Sequence, residues 1–375
     1  IKVLEFHPAN PLDAVAGGEW SPSAVSMQRI NIPPAQADQR LADATDWLAT
    51  LDARWSSIEP ASADASFRRY FRVRSANDDS TAIVMDAPPP KEDVRPFLNI
   101  SRLLASGGVN VPAVYAADEA RGLLLLGDLG NTTYLRALTD AADGERQRLF
   151  TDAITTLVQL QQIDPAQAEV PLARYDAALL RREIDLFPEW YLGRHCQIEL
   201  TDDEKNALER IYAVLIAGAL AQPTVLVHRD YMPRNLMVTG ERNPGVLDYQ
   251  DAVIGPVSYD VASLMRDAFL SWEEPQIIDW VARYWDRARK AGLPVREDFS
   301  EFYREFEWMG LQRHLKVLGI FARINYRDGK PHYLADTPRF VNYVRHAATR
   351  YQAFAPLGSL LDRIEGTATK VGYTF

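Results

Sequence analysis

The 375-residue chain contains a single cysteine, Cys196, and its longest apolar run, Val214 to Ala221, is far too short to cross a bilayer. One thiol excludes an internal disulfide and fits a reducing compartment. The six histidines are scattered, so no zinc-binding spacing is present. The formal net charge of −10 argues against a nonspecific nucleic-acid surface, because such a surface needs clustered cations. We expect a cytoplasmic monomer with neither nucleic-acid nor membrane partners.

The first 26 residues lack both the basic segment and the long apolar segment of a signal peptide. They are rich in Pro, Ala, Gly and Ser and show weak periodicity. We interpret residues 1–26 as a disordered extension or a non-native leader, with Met27 as the natural start.

One stretch, VLVHRDYMPRNLMV (Val225–Val238), and its sequel VLDYQD (Val246–Asp251) organise the rest of the chain. Two apolar, β-rich runs flank a polar loop that contains a proline, so the pattern predicts strand, tight loop, strand. The string H-x-D-x-x-x-x-N, followed by an apolar pair and Asp, is typical of protein-kinase-like phosphotransferases. It singles out Asp230, Asn235 and Asp248.

The residue types match the chemistry of phosphoryl transfer, which depends on positioning and on neutralising phosphate charge. The amide oxygen of Asn235 and the carboxylate of Asp248 suit Mg²⁺, a hard ion that prefers oxygen ligands. Asp230 is expected to accept the proton of the attacking hydroxyl and to orient it. His228 is expected to support the loop through hydrogen bonds. The alternative is a surface β-hairpin, since Asp, Asn and Pro are common in turns.

HRDYMPRN resembles the catalytic loop of aminoglycoside phosphotransferases and choline kinases, which act on small hydroxyl substrates. The continuation IGPVSYDVASL (Ile254–Leu264) is similar to the same branch, in which an Asp at the place of Asp260 starts a helix and buttresses the loop. Further stretches resemble the anomeric sugar kinases of cell-wall recycling, which phosphorylate N-acetylmuramate and N-acetylglucosamine at the C1 hydroxyl. These stretches are DASFRRYFRV (Asp64–Val73), MDAPPPKED (Met85–Asp93), LFPEWYLGRH (Leu186–His195) and RHLKVLGIFARINYRDGKPHYL (Arg313–Leu334).

The resemblance, which runs from about Met27 to the C terminus, implies a two-lobed, protein-kinase-like α+β fold. A small antiparallel-sheet lobe would cover residues 27–130, and a large, mainly helical lobe would cover residues 131–375. The implied reaction is transfer of the γ-phosphoryl group of ATP to an amino sugar, with ATP and Mg²⁺ in the cleft. The open alternatives are a kinase for an aminoglycoside, choline-like amine or homoserine, a catalytically silent pseudokinase, and a protein kinase. The lack of an A-P-E signature after Asp248 argues against the last.

The predicted nucleotide site departs from the kinase pattern in two places. The turn Asp64–Phe67 lacks glycines, although backbone amides of Ser66 and Phe67 can still cover phosphates. The third strand, TAIVMD, lacks the lysine that holds the α and β phosphates, so Lys91, Arg68 or Arg69 is expected to supply that charge. Two solvated arginines are the alternative. The predicted hinge, which would bind adenine, contains Gly127, Asp128 and Leu129.

Hydrophobic periodicity predicts most elements of the two lobes. The predicted helices are Pro34–Trp55, Val94–Ser106, Thr132–Leu138, Gly144–Gln162, Arg174–Leu192, Thr201–Ala221 and Ser258–Phe269, with a helical tail from Trp272. The predicted small-lobe strands are Ser66–Val73, Thr81–Met85, Val111–Ala117 and Gly122–Leu126. The triplet Pro88–Pro90 is expected to be a stiff, extended linker.

The acceptor site is predicted where aromatic and charged residues alternate. Aromatic rings suit the C–H face of a sugar, and the acids of the Arg174–Leu192 helix, Glu183 among them, suit its hydroxyls. An arginine-rich wall on the C-terminal helix could meet a carboxylate such as that of N-acetylmuramate. An aromatic core helix and a solvated helix face are the alternatives. The candidate substrate residues are Glu189, Trp190, Arg194, Arg313, His314 and Arg323.

Overall fold

In the computed structural model, which describes residues 34–52, 54–63 and 67–366, a five-stranded antiparallel sheet forms the small lobe. Its strand order is β1-β2-β3-β5-β4. The strands are β1 (Trp55–Ala63), β2 (Arg69–Ser75), β3 (Thr81–Asp86), β4 (Val114–Asp118) and β5 (Leu123–Gly127). The interpretation of residues 1–26 and the candidate Ser66 lie outside the described residues.

The sheet is covered by α2 (Arg95–Ser106), whose apolar residues recur at helical spacing. Phe97, Leu103 and Leu104 of α2 share one hydrophobic core with Leu124 and Leu126 of β5. Every residue of β5 is buried, because this strand lies inside the sheet with β3 and β4 as neighbours.

The first predicted helix is shorter than expected. Helix α1 spans Pro34–Leu51, and Trp55 begins β1 instead of ending the helix. Strand β1 was not predicted, because WSSIEPASA has few apolar residues. It forms through backbone pairing with β2, from Trp55 opposite Ser75 to Ala63 opposite Arg69. As the edge strand of the sheet it needs little burial of its own.

The large lobe is mainly helical, which together with the small sheet confirms the expected two-lobed α+β fold. Its helices are α3 (Tyr134–Thr139), α4 (Asp143–Gln161), α5 (Ala177–Ile184), α6 (Asp202–Leu220), α7 (Tyr259–Met265), α8 (Glu274–Lys290), α9 (Phe299–Asp328), α10 (Thr337–Arg350) and α11 (Ala355–Glu365). Helix α6 begins with a reciprocal capping box formed by Thr201 and Glu204. Within the described residues, no helix is both long and apolar enough to cross a membrane.

The strands on either side of the catalytic loop do not pair with each other, so the loop is not the turn of a β-hairpin. Strand β6 (Thr224–Val227) pairs with β9 (Val253–Pro256), and β7 (Leu236–Met237) pairs with β8 (Gly245–Val246). The loop therefore passes from one two-stranded ladder to another. Its two ends are fixed independently.

The predicted helix Arg174–Leu192 is broken into α5 and a π-helix, Phe187–His195. Pro188 stands at the start of the π-helix, where its missing N–H interrupts the α-helical hydrogen-bond pattern. Helix α9 packs against this break. A Cβ added at Gly319 of α9 would lie 2.3 Å from the carbonyl carbon of Leu186, so the two backbones approach as closely as glycine permits.

Two other expectations need correction. Pro88–Pro90 is a turn and not an extended linker, with the Lys91 N–H donating to the carbonyl of Pro88 at 3.1 Å and a cis bond between Pro89 and Pro90. Helix α7 ends at Met265, short of the predicted Phe269. The Asp267 carboxylate accepts the N–H groups of Phe269 and Leu270 at 3.0 Å, a side-chain competition that ends the helix.

Candidate active site

The loop that follows β6 brings the three predicted catalytic residues together. The side-chain amide of Asn235 donates to the carbonyl of Asp230 at 2.9 Å and to Oδ2 of Asp248 at 3.3 Å. The N–H of Leu247 donates to the carbonyl of Asn235 at 2.9 Å, which fixes the residue before Asp248 against the loop. The three residues of the motif thus lie close together.

Asp248 and Asn235 offer a donor set that suits a divalent cation. Both hydrogen bonds of Asn235 use its amide nitrogen, so its carbonyl oxygen is the atom that would face a cation. Gln250 donates to the other carboxylate oxygen of Asp248 at 2.9 Å and orients it. Asp248 has a φ of 63°, in the left-handed region that non-glycine residues adopt infrequently. Oxygen ligands from a carboxylate and an amide fit a hard cation.

Asp260, at the start of α7, supports the loop from below. Its carboxylate accepts the backbone N–H of His228 at 2.7 Å and that of Arg229 at 2.9 Å. Asp260 is fully buried, and burial raises the pKa of its carboxyl to about 6 although both amides favour the charged form.

His228 ties Asp230 to the segment that carries Asp248. Its Nδ1 accepts the N–H of Asp230 at 3.2 Å, so its Nε2 carries the proton and donates to the carbonyl of Leu247 at 2.9 Å. The imidazole is almost fully buried and holds two backbone segments in place. This geometry suits the supporting role expected of His228.

Arg229 is locked by a buried carboxylate, Glu183 of α5. Arg229 has a φ of 76°, and its guanidinium lies 2.6 Å from Glu183, which also meets Lys316 of α9 at 2.9 Å and the hydroxyl of Tyr175. Burial would raise the pKa of Glu183, but Lys316 and Arg229 outweigh it and lower the pKa to about 2. Glu183 was expected near a sugar platform; the structure places it beneath the catalytic loop.

Arg313 of α9 lies beside the predicted base. Its guanidinium is 3.9 Å from Oδ1 of Asp230, and its side chain is 3% exposed whereas that of Asp230 is 41% exposed. Asp230 therefore reaches solvent, where an acceptor can approach it. Arg313 holds a positive charge next to it from the protein side.

A cavity of about 660 Å³ lies between the sheet and the catalytic loop, where the nucleotide site is predicted. The predicted hinge residues Gly127, Asp128 and Leu129 line one part of it, and Asn235 and Asp248 line another. Its volume lies within the range of small-molecule sites. The hinge and the candidate cation ligands therefore share one cleft.

The hinge is fastened to the sheet by Arg72 of β2. Its guanidinium donates to both carboxylate oxygens of Asp128, at 2.6 and 3.0 Å, and to the carbonyl of Gly130 at 3.1 Å. Burial would raise the pKa of Asp128, but Arg72 and the N–H of Gly130 hold it below its usual value. The N–H of Gly127 donates to the carbonyl of Ala113, so donors for a base must come from later hinge residues.

Strand β3, whose residues are all described, presents apolar side chains to the cleft. Ile83 lines the cavity, and Met85, two residues on, lies on the same face of the strand, fully buried. Met85 therefore occupies the place where a phosphate-binding lysine would stand.

The cations that were expected to replace this lysine are engaged elsewhere. Arg69 lies on the other face of β2 and meets Asp86, with 3.0 Å from its Nε to the carboxylate. Arg68 lies 3.7 Å from Glu92. The ammonium of Lys91 lies 4.5 Å from the ring centroid of Phe67, which is itself partly exposed.

The six candidate substrate residues do not gather at one place. Glu189 and Arg194 of the π-helix are exposed, and Trp190 is half-buried against the core of the large lobe. His314 is 2% exposed, and its ring packs near Phe340 and Tyr343. Burial lowers the pKa of His314 well below its usual value, so this histidine is neutral.

Positions along α9 explain the dispersal of its charged residues. Lys316 turns inward to Glu183 and the hydroxyl of Tyr259, whereas Arg327 is exposed beside Asp328. Arg323 is half-buried. Arg313 is the candidate that contacts the catalytic loop, and it stays a predicted substrate residue.

Sequence reasoning missed several residues that line the cavity: Tyr70, Arg72, Arg234, Phe269, His332 and Tyr333. Arg234 stands directly before Asn235 in the motif, and its position was the available signal. The guanidinium carbon of Arg234 lies 5.2 Å from the ring centroid of Phe269. His332 and Tyr333 belong to a stretch singled out for its resemblance, but nothing in their spacing indicated the cleft.

Comparison with known proteins agrees with this geometry. Residues 57–299 match the phosphotransferase enzyme family, APH. The N-acetylmuramate/N-acetylglucosamine kinase of Pseudomonas putida KT2440 is 50% identical over 343 residues, which cover 88% of this chain and 98% of that protein.

Two solved structures share the fold. The ADP-bound aminoglycoside phosphotransferase APH(2'')-Ib has a TM-score of 0.57 at 16% identity, covering 80% of this chain and 97% of its own. Choline kinase LicA from Streptococcus pneumoniae has a TM-score of 0.59 at 12% identity, covering 83% and 99%. With the family match and the 50% identical relative, these likenesses lead to one conclusion: the chain belongs to the phosphotransferase enzyme family.

Proposed function

We propose that this protein is an ATP-dependent kinase that phosphorylates the anomeric hydroxyl of N-acetylmuramate and N-acetylglucosamine in peptidoglycan recycling. The observation that carries the proposal is the shared cleft, in which the hinge, Asn235 and Asp248 line one cavity. The acceptor class is supported by the 50% identical relative named as a kinase of these sugars. The anomeric position rests on the sequence motifs that resemble such kinases.

The arrangement gives each residue of the loop a task in the transfer. Asp230, which is partly exposed, accepts the proton of the sugar hydroxyl. The oxygen of that hydroxyl forms a bond to the γ-phosphorus while the bond between this phosphorus and ADP breaks. Asn235 and Asp248 would hold Mg²⁺, which when bound neutralises charge on the phosphates. Asp260 and His228 keep the backbone of the loop in position.

The test is a coupled ADP-release assay with ATP and Mg²⁺ on N-acetylmuramate, N-acetylglucosamine, glucose, kanamycin, choline and homoserine. Turnover restricted to the two N-acetyl sugars is expected, and phosphorus NMR should show an acid-labile C1 phosphate. Turnover with kanamycin, choline or homoserine instead would contradict the proposed sugar acceptor and would leave the assignment of the catalytic residues unchanged.

Met85 gives one structural reason to keep a second candidate, a nucleotide-binding protein without catalysis. ATP binding without ADP release on any acceptor would favour it. The joint presence of Asp230, Asn235 and Asp248 in one geometry favours catalysis, because a silent protein needs none of them together.

A further inference from the structure

Strand β3, whose residues are all described, carries no lysine of the kind that kinases use to hold nucleotide phosphates. A triphosphate keeps a net negative charge even when it carries one divalent cation, so catalysis needs a further positive group. Among the described residues that line the cavity, none is a lysine, and the guanidinium groups come from Arg72 and Arg234. These two arginines are therefore the candidates for supplying that positive charge.

Arg72 is already committed to the hinge. Its guanidinium contacts both carboxylate oxygens of Asp128 and the carbonyl of Gly130. A bidentate ion pair neutralises the arginine and fixes its orientation. Arg72 therefore fixes the predicted hinge to the sheet, and Asp128 neutralises the charge with which it could bind a phosphate.

Arg234 has the opposite surroundings. Its side chain is exposed, and in the described part of the chain it forms no ion pair with a carboxylate. Its guanidinium carbon lies 5.2 Å from the ring centroid of Phe269, a contact that orients an arginine without cancelling its charge. The planar fork of donors on a guanidinium also matches a phosphate group.

The backbone places Arg234 next to the reacting centre. Arg234 and Asn235 are neighbours in the short 3-10 turn Pro233–Asn235, and both line the cavity together with Asp248. Asn235 is buried while Arg234 is exposed, so of these two cavity-lining residues Arg234 is the more accessible to a ligand from solvent.

We propose that Arg234 binds the γ-phosphoryl group of the nucleotide and supplies, from the catalytic loop, the charge that Met85 cannot supply from β3. Phe269 positions the guanidinium. The proposal rests on the proposed function only in taking ATP as the phosphoryl donor, and it does not depend on which acceptor is used.

The competing assignment is that Arg234 binds the carboxylate of N-acetylmuramate. The two acceptors distinguish these roles, since N-acetylmuramate is an anion and N-acetylglucosamine is neutral. Binding of ADP and of a nonhydrolysable ATP analogue provides a second comparison, because the two nucleotides differ in the γ-phosphoryl group.

The experiment compares wild type, Arg234→Gln, Arg234→Lys and a control, Arg210→Gln, which changes an exposed arginine of α6 outside the cavity. In Arg234→Gln, kcat/KM should fall about 100-fold with both sugars. Calorimetric affinity for the ATP analogue should fall about tenfold, with ADP affinity changed by less than about twofold. Arg234→Lys should recover part of each loss, and Arg210→Gln should match wild type.

A loss confined to N-acetylmuramate would overturn the proposal and assign Arg234 to the acceptor carboxylate. Unchanged affinity for the ATP analogue would overturn it as well. If the wild type turned over neither sugar, the proposed function would fail, and the nucleotide-binding comparison would still decide the role of Arg234. Thermal unfolding of each variant would show that the exposed substitution leaves the fold intact.

Discussion

The carboxylate of Asp260 accepts a 2.9 Å hydrogen bond from the backbone N–H of Arg229, a residue whose φ of 76° places it in the left-handed region. A non-glycine residue in that region is strained by roughly 1–2 kcal/mol. The strain is held from two sides, since the side chain of Arg229 is bound by Glu183 while its backbone is bound by Asp260. The position of Asp230, the next residue, depends on both contacts.

Asp260→Asn is expected to separate stability from activity. Burial raises the pKa of Asp260 from 3.8 to about 6, so the native state binds more protons than the unfolded state between these values, and the contribution of Asp260 to stability falls as pH rises through about 6. At pH 7 the gain from removing the buried charge, up to about 3 kcal/mol, is offset by the cost of about 1–3 kcal/mol of leaving one loop N–H without an acceptor, so the stability of the variant should stay close to that of wild type.

Turnover of Asp260→Asn should nevertheless drop, because the amide cannot accept both N–H groups of the loop. Urea unfolding at pH 4.5 and pH 7, with activity at pH 7, checks both parts. A variant that is clearly less stable than wild type at pH 7 would contradict this account of Asp260.

Glu183→Gln should show the opposite dependence on pH. The pKa of Glu183 is lowered from 4.5 to about 2, so its contribution to stability is present above pH 4.5 and is lost as pH falls toward 2. At pH 7 the variant should be less stable by about 3 kcal/mol, because Arg229 and Lys316 lose their shared carboxylate.

The stability deficit of Glu183→Gln should close as pH falls below 4.5. Urea unfolding between pH 3.5 and 7 measures it, with Glu199→Gln, an exposed change, as the control. A deficit that stays constant with pH would argue against an ionised Glu183.

Asp230→Asn tests the predicted base. Turnover should fall by roughly 100- to 10,000-fold while nucleotide binding is kept, since the side chain would no longer accept the hydroxyl proton. An anomeric hydroxyl is more acidic than an ordinary alcohol, which favours the lower end of that range.

Asp251→Asn is the matched control, because Asp251 is an exposed aspartate that closes the VLDYQD segment. Steady-state kinetics and calorimetric binding of ADP are the measurements. Near-normal turnover of Asp230→Asn together with tight nucleotide binding would show that Asp230 is not the residue that accepts the hydroxyl proton.

Asp248→Asn tests the cation site. Loss of the carboxylate charge should raise the Mg²⁺ concentration for half-maximal nucleotide binding by more than about tenfold. Titrating Mg²⁺ against binding of the ATP analogue gives a readout that does not depend on turnover. An unchanged Mg²⁺ requirement would place the cation elsewhere.

Local patterns and long-range contacts differ in how far the sequence reveals them. The spacing of Asp230, Asn235 and Asp248 predicted a meeting that the structure shows, because the motif lies within one short segment and its sequel. The capping box at Thr201 was equally local. Contacts between segments that are distant in the sequence leave no spacing pattern from which they could be predicted.

The pairing of β6 with β9 and the ion pair between Glu183 and Arg229 both depend on how the lobe folds as a whole. The sequence of strand β1 has no apolar pattern, because the strand forms through its backbone hydrogen bonds to β2 and not through burial of its side chains. The basic residues of α9 could not be told apart in the sequence, yet Arg313 and Lys316 are buried whereas Arg327 is exposed.

Met85 also determines which chemical reagents can detect this protein. Nucleotide analogues that carry an amine-reactive acyl phosphate label kinases by acylating a lysine beside the bound phosphates. The described lining of this cavity contains no lysine amine, and the thioether of Met85 is not acylated. We therefore expect a proteome-wide survey with such reagents to leave this protein unlabelled even when it binds ATP as proposed.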